Sequence, residues 1–368
     1  MIKWLNYLEM FNNDKKKLTV CYFGTYTAKY SRNSILISGL KKNEVDVVEC
    51  KTIRGGFLKY IDLTIKHWRI RNKYDVMIVG FQGIQAVILA KLLTRKTIIF
   101  DAFASIYDSM VMDRKSVKTG SFAARYYWWL DKISMTLADI ILFDTNEHIN
   151  YASKEFGIKK EKFRRIFVGA DTGIFYPVKK ENHSKNFQVF FYGSFLPLQG
   201  IDHIVKAAKL LEKEKDIVFE IVGWGLEKEK IMRLFNSLKL DNLFFVGGLN
   251  KELLREKIAE ADLCLGIFGD TNKTKRVIPN KVYDYVAMRK PVVTADTPAI
   301  RELFEDGELM FVKVSDHISL ANAIMTIKNN RELAESLAQK GYQKFLKFAT
   351  PSILGERLLE IIKENEYF

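Results

Sequence analysis

The 368-residue sequence has few cysteines and no long apolar run. Its three cysteines, Cys21, Cys50 and Cys264, lie in or beside apolar segments and show no metal-binding spacing. This pattern argues against a disulfide framework and favours a reducing cytoplasm. Residues 1–11 are apolar but short and charged, so no signal peptide is predicted. The longest apolar region, residues 76–93, is interrupted by two glutamines and a lysine, which indicates a strand, a turn and a helix rather than a membrane span.

The sequence also lacks the side-chain patterns that usually hold a metal ion beside a diphosphate. There is no Asp-x-Asp triplet, and the five histidines are dispersed: His67, His148, His183, His203 and His317. We therefore expect no metal and no other cofactor. Cationic side chains and helix dipoles are expected to supply the electrostatic stabilisation that a metal would give.

Acidic residues are scarce in the first half of the chain. Residues 1–180 contain 31 Lys and Arg against 17 Asp and Glu, whereas the remainder carries 27 of each sign. The whole formal excess of +14 therefore lies before residue 181. A field this one-sided predicts an anionic partner, such as a lipid surface or a lipid-linked phosphate. Nucleic acid is not expected, because no recognised nucleic-acid motif accompanies the charge.

Short apolar runs alternate with longer amphipathic segments throughout, which predicts an α/β protein with parallel sheets wrapped by helices. The polar stretch Lys179–Asn186 is interpreted as a linker between two domains, 1–180 and 181–350. A final helix is expected within residues 351–368. The predicted strands are Leu18–Phe23, Val45–Val48, Val76–Val79, Thr97–Phe100, Ile140–Phe143, Val189–Tyr192, Val218–Val222, Leu243–Val246, Leu263–Ile267, Val292–Thr294 and Met310–Val314.

Glycines follow several of these strands, at Gly24, Gly193, Gly223 and Gly247. Ligands of open parallel sheets bind beyond the carboxyl ends of the strands, so a nucleotide is expected there. Gly223-Trp224-Gly225 begins like a dinucleotide fingerprint but lacks the third glycine. Tight strand-to-helix turning explains both of its glycines equally well.

The segment from Arg276 to Val293 is the most informative part of the chain. A loop that carries Arg276 and Lys281 leads into a short helix, and Asp284 lies one turn after Lys281 on the same face. Amide groups at a helix N-terminus together with two cations suit a diphosphate. Asp284 is placed to accept hydrogen bonds from sugar hydroxyls. The alternative is a surface helix with ordinary solvated charges.

Asp284-Tyr285-Val286-Ala287-Met288-Arg289-Lys290-Pro291-Val292 resembles the Glu-Ala-Met-Ala-x-Gly-x-Pro-Val helix of glycosyltransferase family 4. Four further motifs occur in the order of that family: Val168-Gly169-Ala170-Asp171, Tyr192-Gly193-Ser194 with Gly200, Ile221-Val222-Gly223, and Phe245-Val246-Gly247. The resemblance covers nearly all of residues 165–325 and is looser in the first domain. It implies the GT-B fold, with two Rossmann-like domains facing across a cleft and a C-terminal helix crossing back.

The resemblance implies a retaining transferase that uses a nucleotide diphosphate sugar. Together with the strand-end glycines and the cations near residue 280, it predicts these donor-binding residues: Gly24, Gly193, Ser194, Gly223, Val246, Arg276, Asn280, Lys281 and Asp284. The sequence departs from the family at three positions. The family usually has an arginine at position 194, a lysine at 199 and a glutamate at 276, where this chain has Ser194, Gln199 and Arg276. We therefore expect the diphosphate-binding cations to have moved to Arg276 and Lys281.

Two carboxylates of the first domain are candidate catalytic groups. Asp101 ends a predicted strand, and Asp108 follows in the loop after it. Strand-end carboxylates that open on a cleft can orient an acceptor or take part in proton transfer. The alternatives are an N-cap of the next turn or an ion pair with Arg114. Because the leaving diphosphate is thought to assist in this family, Asp101 is expected to orient the acceptor rather than to be an essential base.

The residues from Arg54 to Lys73 combine six cations with Trp68 and several aliphatic side chains, and Tyr126-Tyr127-Trp128-Trp129 adds an aromatic cluster. Basic amphipathic helices with tryptophan suit an anionic membrane interface. The alternative is a helix packed on the sheet with a solvated cationic face. Peripheral attachment to the inner face of the membrane is the expectation.

Three functions remain open from the sequence. The first is transfer of a sugar to a lipid-linked or cell-surface polysaccharide acceptor. The second is a sugar-nucleotide epimerase of the same fold, which would ordinarily need more acid–base residues than the sequence shows. The third is a non-catalytic nucleotide-sugar-binding partner, prompted by the three departures from the family pattern.

Overall fold

Two six-stranded parallel sheets organise the chain. The computed structural model describes residues 17–28, 30–178 and 185–364. In the first domain the elements are β1 (Thr19–Gly24), α1 (Ser31–Lys42), β2 (Asp46–Lys51), α2 (Leu58–Ile70), β3 (Val76–Val79), α3 (Ile84–Leu93), β4 (Ile98–Asp101), α4 (Phe122–Leu137), β5 (Ile140–Phe143), α5 (Asn146–Phe156) and β6 (Phe163–Arg165). A π-helical turn, Asp108–Asp113, follows β4.

The second domain repeats the alternation of strands and helices. Its elements are β7 (Phe187–Tyr192), α6 (Ile201–Leu210), β8 (Ile217–Val222), α7 (Lys228–Leu238), β9 (Leu243–Val246), α8 (Lys251–Glu260), β10 (Leu263–Leu265), α9 (Asn280–Ala287), β11 (Val292–Ala295), α10 (Pro298–Arg301), β12 (Met310–Val312), α11 (His317–Asn329), α12 (Arg331–Phe348) and α13 (Pro351–Glu364). Short 3-10 turns, Pro197–Gln199 and Thr274–Arg276, precede α6 and α9.

Strand order places a ligand-binding point in each sheet. The first sheet runs β2-β1-β3-β4-β5-β6, and the second runs β12-β11-β10-β7-β8-β9. The order reverses between β1 and β3 in the first sheet and between β7 and β10 in the second. Crevices for ligands form outside the carboxyl ends of the strands at such reversals. In the second domain the reversal lies beside Gly193, which directly follows β7.

Apolar runs without alternation become strands that are buried on both faces. All four residues of β3 and of β5 are buried. Successive side chains of β1 point to opposite faces, so Tyr22 packs against the α1 side and Phe23 against the α3 and α5 side. The cluster on the α1 side continues into the second domain and includes Phe190 and Tyr283. The two domains therefore share part of their apolar core.

Helix α13 packs against α1 of the first domain, where two glycines allow a close approach. A Cβ atom at Gly355 would lie 2.2 Å from the backbone carbonyl carbon of Gly39. A Cβ atom at Gly39 would lie 2.3 Å from the carbonyl oxygen of Pro351. Because neither position has room for a side chain, the crossing of these helices depends on both glycines.

The eleven predicted strands all occur, within a few residues at their ends. The strand missed from the sequence is β6, which has three residues, two of them arginines. The predicted linker lies mostly outside the described residues, as does the domain boundary at 180–181. The first residues, 1–16, and the last four also lie outside. Among the described helices, none has both the length and the apolar character needed to cross a membrane.

Candidate active site between the two domains

Two adjoining cavities lie in the cleft at the carboxyl ends of the strands. The larger encloses about 790 Å³ and the smaller about 320 Å³. They share Tyr192, Gly193 and Ser194 after β7, together with Arg114 and Leu196. The larger volume falls within the range of roughly 300–1,000 Å³ typical of small-molecule sites. The cavities therefore form one cleft with two compartments.

The turns after β7 and β8 touch each other at their glycines. A Cβ atom at Gly223 would lie 2.0 Å from the carbonyl oxygen of Gly193. A Cβ atom at Gly193 would lie 2.8 Å from Nζ of Lys281. A side chain at Gly223 would push the two turns apart, and a side chain at Gly193 would displace the Lys281 amino group. Ser194 lines both compartments, and Gly223 lines the larger one with Trp224.

Lys281 is a buried lysine at the start of α9. Its side chain is enclosed, and its ammonium group donates a hydrogen bond to Oε1 of Gln199 and lies 3.6 Å from the centre of the Phe191 ring. No carboxylate pairs with it in the part of the chain that the structure describes. Burial holds the pKa of Lys281 well below its usual value. The cation reaches Gln199, the position at which the resembling family has a lysine.

Asp284 lies one turn further along α9 and is buried against Tyr192. The Tyr192 hydroxyl donates a hydrogen bond to Oδ2 of Asp284. Burial raises the pKa of the Asp284 carboxyl to about 7. Tyr192 lines both compartments, whereas Asp284 stands behind it. The predicted contact of Asp284 with sugar hydroxyls therefore requires Tyr192 to share or release one carboxylate oxygen.

The Arg276 side chain faces the first domain and lines neither compartment of the cleft, whereas the sequence predicted that it binds the diphosphate. Its Nη2 lies 2.5 Å from Oδ1 of Asp108, and its guanidinium group lies 3.8 Å from the centre of the Tyr151 ring. The Thr145 hydroxyl donates to its backbone carbonyl oxygen at 2.5 Å. Arg276 joins the two domains. Asp108 is fully buried in this pair and lines neither compartment, and its catalytic role stays a prediction.

Asp101 does not reach the cleft either. Its carboxylate is fully buried and accepts hydrogen bonds from Nε and Nη2 of Arg32 at 2.9–3.1 Å. Arg32 also donates from Nη1 to the carbonyl oxygens of Ile166 and Phe167. This pair ties β4 to α1 and to the segment after β6. The ion pair anticipated from the sequence exists, but its cation is Arg32 and not Arg114.

The remaining predicted donor residues divide into two groups. Asn280 lines the smaller compartment together with Lys281. Gly24 and Val246 line neither compartment. Gly24 ends β1 in the first sheet, and the carbonyl oxygen of Val246 accepts a hydrogen bond from Gly223. Val246 thus supports the glycine turn, and a direct contact with a donor stays a prediction.

The sequence interpretation missed two acceptor groups of the smaller compartment, His148 and Asp113. His148 stands in the first turn of α5, and its Nδ1 lies 2.7 Å from Oδ1 of Asp144. The signal was present in the sequence, because Asp144 directly follows β5 and His148 comes four residues later. Within the described ranges, no three histidine, cysteine or acidic side chains are grouped so that they could hold a metal ion.

The second domain matches a known protein family. Residues 175–344 match the family model of glycosyl transferases group 1. Over 255 residues the chain is 20% identical to alpha-D-kanosaminyltransferase of Streptomyces kanamyceticus. That match covers 64% of this chain and 63% of the relative, so it spans less than two thirds of the relative's length.

Solved structures share the arrangement of the whole chain. HepE of Anabaena, in complex with UDP and glucose, superposes with a TM-score of 0.70 at 14% identity, over 95% of this chain and 100% of that one. Sucrose-phosphate synthase of Thermosynechococcus elongatus gives a TM-score of 0.72 at 14% identity, over 95% and 99%. The chain therefore has the two-domain GT-B fold predicted from its sequence, and its second domain is similar to the glycosyl transferases group 1 family.

Proposed function

We propose that this protein is a retaining glycosyltransferase that moves a sugar from a nucleoside diphosphate donor to a lipid-linked or cell-surface polysaccharide acceptor. The observation that carries the proposal is Lys281, a buried ammonium group that faces the cleft beside the Gly193 turn. A buried cation is costly unless an anion pairs with it. The diphosphate of the donor supplies that anion.

The donor fits the two compartments in a definite orientation. The diphosphate lies at Lys281 and the first turn of α9, where the amide groups and the helix dipole favour an anion. The larger compartment, with Trp224 and the glycine turns at its wall, takes the nucleobase, because an aromatic side chain and close backbone suit a flat ring. The ribose then lies next to Tyr192 and Asp284. UDP in the HepE complex is consistent with this class of ligand.

Departure of the diphosphate is the step that these groups assist. As the bond from the sugar to the diphosphate breaks, negative charge grows on the leaving oxygen. The ammonium group of Lys281 and the amide groups of α9 are fixed in place before that charge develops, so they stabilise it without reorganising. The acceptor hydroxyl gives its proton to the departing diphosphate on the same face of the sugar.

The test is a donor screen followed by a transfer assay. Melting temperatures are measured with UDP, GDP and dTDP and with their glucose derivatives, because ligands of the folded state raise the melting temperature. The donor that binds is then incubated, as a labelled sugar, with membrane extract. Transfer of label to an acceptor with retained configuration supports the proposal. A changed free sugar nucleotide would indicate an epimerase, and binding without turnover would indicate a non-catalytic partner.

An exposed apolar face on the first domain supports a membrane-bound acceptor. Phe57, Leu58, Ile61, Ile65 and Trp68 of the α2 region are at least 45% exposed. Leu92 of α3 and Phe122, Tyr126 and Trp129 of α4 add to the same domain. We propose that this face, with the basic residues around it, lies on an anionic membrane at the cytoplasmic side, since basic amphipathic helices bind such interfaces.

Vesicle sedimentation tests this attachment. The protein is expected to sediment with vesicles that contain anionic lipid, and less so at high salt, because exposed charges are screened over roughly 8 Å at physiological ionic strength. Trp68→Ser and Trp129→Ser should reduce the bound fraction. Phe244→Ser, which removes an equally exposed aromatic from the second domain, is the matched control. Equal sedimentation with neutral vesicles, or equal loss in the control, would refute the assignment.

A further inference from the structure

The smaller compartment contains hydrogen-bond acceptors that the protein leaves unused. His148 is 1% exposed, and its Nε2 has no hydrogen-bond partner among the residues that the structure describes. Both carboxylate oxygens of Asp113 are likewise buried without a hydrogen bond from that part of the chain. The nearest cation to Asp113 is Lys273, with Nζ 4.0 Å from Oδ2. Both side chains line the compartment of about 320 Å³.

The His148 ring is held in one orientation. Asp144, itself buried, lies 2.7 Å from Nδ1, and a carboxylate accepts the proton that this nitrogen carries. The backbone amide of His148 donates to the Thr145 hydroxyl oxygen at 3.1 Å, which fixes the first turn of α5. In the neutral ring Nε2 is then the nitrogen with the free lone pair. It can accept a hydrogen bond from a ligand in the compartment that His148 lines.

The ligand that satisfies these acceptors must bring hydrogen-bond donors without a large charge. Buried acceptors that stay unpaired cost free energy, so a ligand that pairs with them gains affinity. A cation is disfavoured because Lys273, Lys281 and Arg114 line the same compartment. An anion placed at Asp113 would meet its carboxylate. A neutral ring with several hydroxyl groups, as in a sugar, fits both conditions.

We propose that the smaller compartment holds the donor sugar ring, and that His148 Nε2 and the Asp113 carboxylate accept hydrogen bonds from its hydroxyl groups. Asp144, which also lines this compartment, is a positioning residue that fixes the His148 tautomer. This inference rests on the proposed function, since it deepens the account of the same donor. It identifies the residues that recognise the sugar rather than the nucleotide.

The experiment compares two ligands that differ only by the sugar. For the nucleotide found in the screen of UDP, GDP and dTDP, dissociation constants are measured for the free diphosphate and for the diphosphate–glucose by titration calorimetry. The ratio of interest is the dissociation constant of the diphosphate–glucose divided by that of the free diphosphate. In His148→Ala and in Asp113→Asn this ratio should rise roughly 5- to 30-fold, because each change removes one hydrogen bond in a buried site. The dissociation constant of the free diphosphate should stay within about 2-fold of its wild-type value.

His67→Ala is the matched control, because His67 is a second buried histidine whose ring bonds to Tyr74 away from the cleft. His148→Phe keeps a ring of similar size and should give the same ratio as His148→Ala. It provides the measurement if the alanine variant does not fold. In Asp144→Ala, nitrogen NMR of the His148 ring should show the proton moved from Nδ1 to Nε2.

The outcomes separate this inference from the proposed function. A ratio that stays at the wild-type value in both His148 variants and in Asp113→Asn would overturn the sugar assignment while leaving the nucleotide site intact. An equal rise in His67→Ala would also overturn it. If the wild-type protein binds none of the three nucleotides or their glucose derivatives, the proposed function falls first and this inference falls with it.

Discussion

At the scale of single residues, the cleft differs from the pattern that its sequence resembles in where it keeps its positive charge. Ser194 and Gln199 occupy positions where the resembling family has cations, and Lys281 extends from α9 to Gln199. One cationic group is thus supplied from a different element at the same place. Arg276, the second expected substitute, instead pairs with Asp108. The sequence predicted that Lys281 and Arg276 take over the positions of the family's cations, and in the structure Lys281 lies at such a position whereas Arg276 does not.

Lys281→Met should have opposite effects on ligand affinity and on stability. Loss of a charge-assisted contact is expected to weaken binding of the nucleoside diphosphate by roughly 1.5–3 kcal/mol. The unliganded protein should melt at a higher temperature, because a buried amino group that burial desolvates has been replaced by an apolar chain of similar size. Calorimetry and thermal melts check both. The control is Lys206→Met, which removes a partly exposed lysine paired with Asp202 and should change neither the affinity nor the melting temperature. Unchanged nucleoside diphosphate affinity in Lys281→Met would contradict the diphosphate assignment.

Asp284→Asn should alter how stability depends on pH. The carboxyl has a folded pKa of about 7 against 3.8 when unfolded. Between these values the folded protein holds a proton that the unfolded chain has released, so wild-type stability falls as pH rises through this window. The asparagine variant lacks this loss, so its free energy of unfolding should rise relative to that of the wild type from pH 4 to pH 7. The rise should reach at most about 4 kcal/mol, since each pKa unit corresponds to about 1.4 kcal/mol. Thermal melts at pH 5 and pH 8 measure it; a difference that is the same at both would refute the buried titration.

At the scale of elements, the crossing of α13 over α1 depends on the absence of side chains. Gly355→Ala should lower the melting temperature and cost on the order of 1–3 kcal/mol, the range for overpacking a closely packed contact. Gly55→Ala is the control, since a Cβ atom there would meet nothing within 4 Å. Equal effects of the two substitutions, compared in thermal melts, would mean that the helices adjust without strain.

Strands with a strong local sequence pattern could be predicted from the sequence. Strand pairings and ion pairs between residues far apart in the chain could not. The strands β3 and β5 are continuous apolar runs, and their predicted bounds match the structure. The strand β6 reads Phe-Arg-Arg, and it is a strand because it pairs with β5 at the sheet edge. Asp101 shows the same limit, because its position at a strand end was evident but its partner Arg32 lies 69 residues away.

At the scale of the whole molecule, charged side chains join the two domains beside the cleft. Lys273 and Arg276 of the second domain face Asp108 of the first, at 3.7 Å and 2.5 Å, and Lys273 also donates to Ser109. These contacts come from the loop before α9 and the π-helical turn after β4. The loop that holds the domains together therefore leads directly into α9, which carries the proposed donor-binding lysine.

Arg276→Met should change stability and leave nucleotide affinity nearly untouched. Removing one partner of a largely buried ion pair costs on the order of 3 kcal/mol, because Asp108 is left charged and unpaired. A double-mutant cycle with Asp108→Asn should show that the two effects are not additive. The dissociation constant of the nucleoside diphosphate should remain within about 3-fold of the wild-type value. A loss of affinity as large as that in Lys281→Met would restore Arg276 to the donor site.

Glu302 of the second domain reaches across to α5. Its carboxylate accepts the backbone amides of Asn146 and Glu147 at 2.7 Å and 2.9 Å and pairs with Arg165. The helix that carries His148 is thus capped by a residue of the opposite domain. If the sugar site is as proposed, separation of the domains would remove the contacts to these two amides together with the sugar contact, so domain closure and sugar binding would favour each other by the same factor. We then expect an open form to distinguish donor sugars poorly, and discrimination among donors to occur as the domains close rather than at first binding.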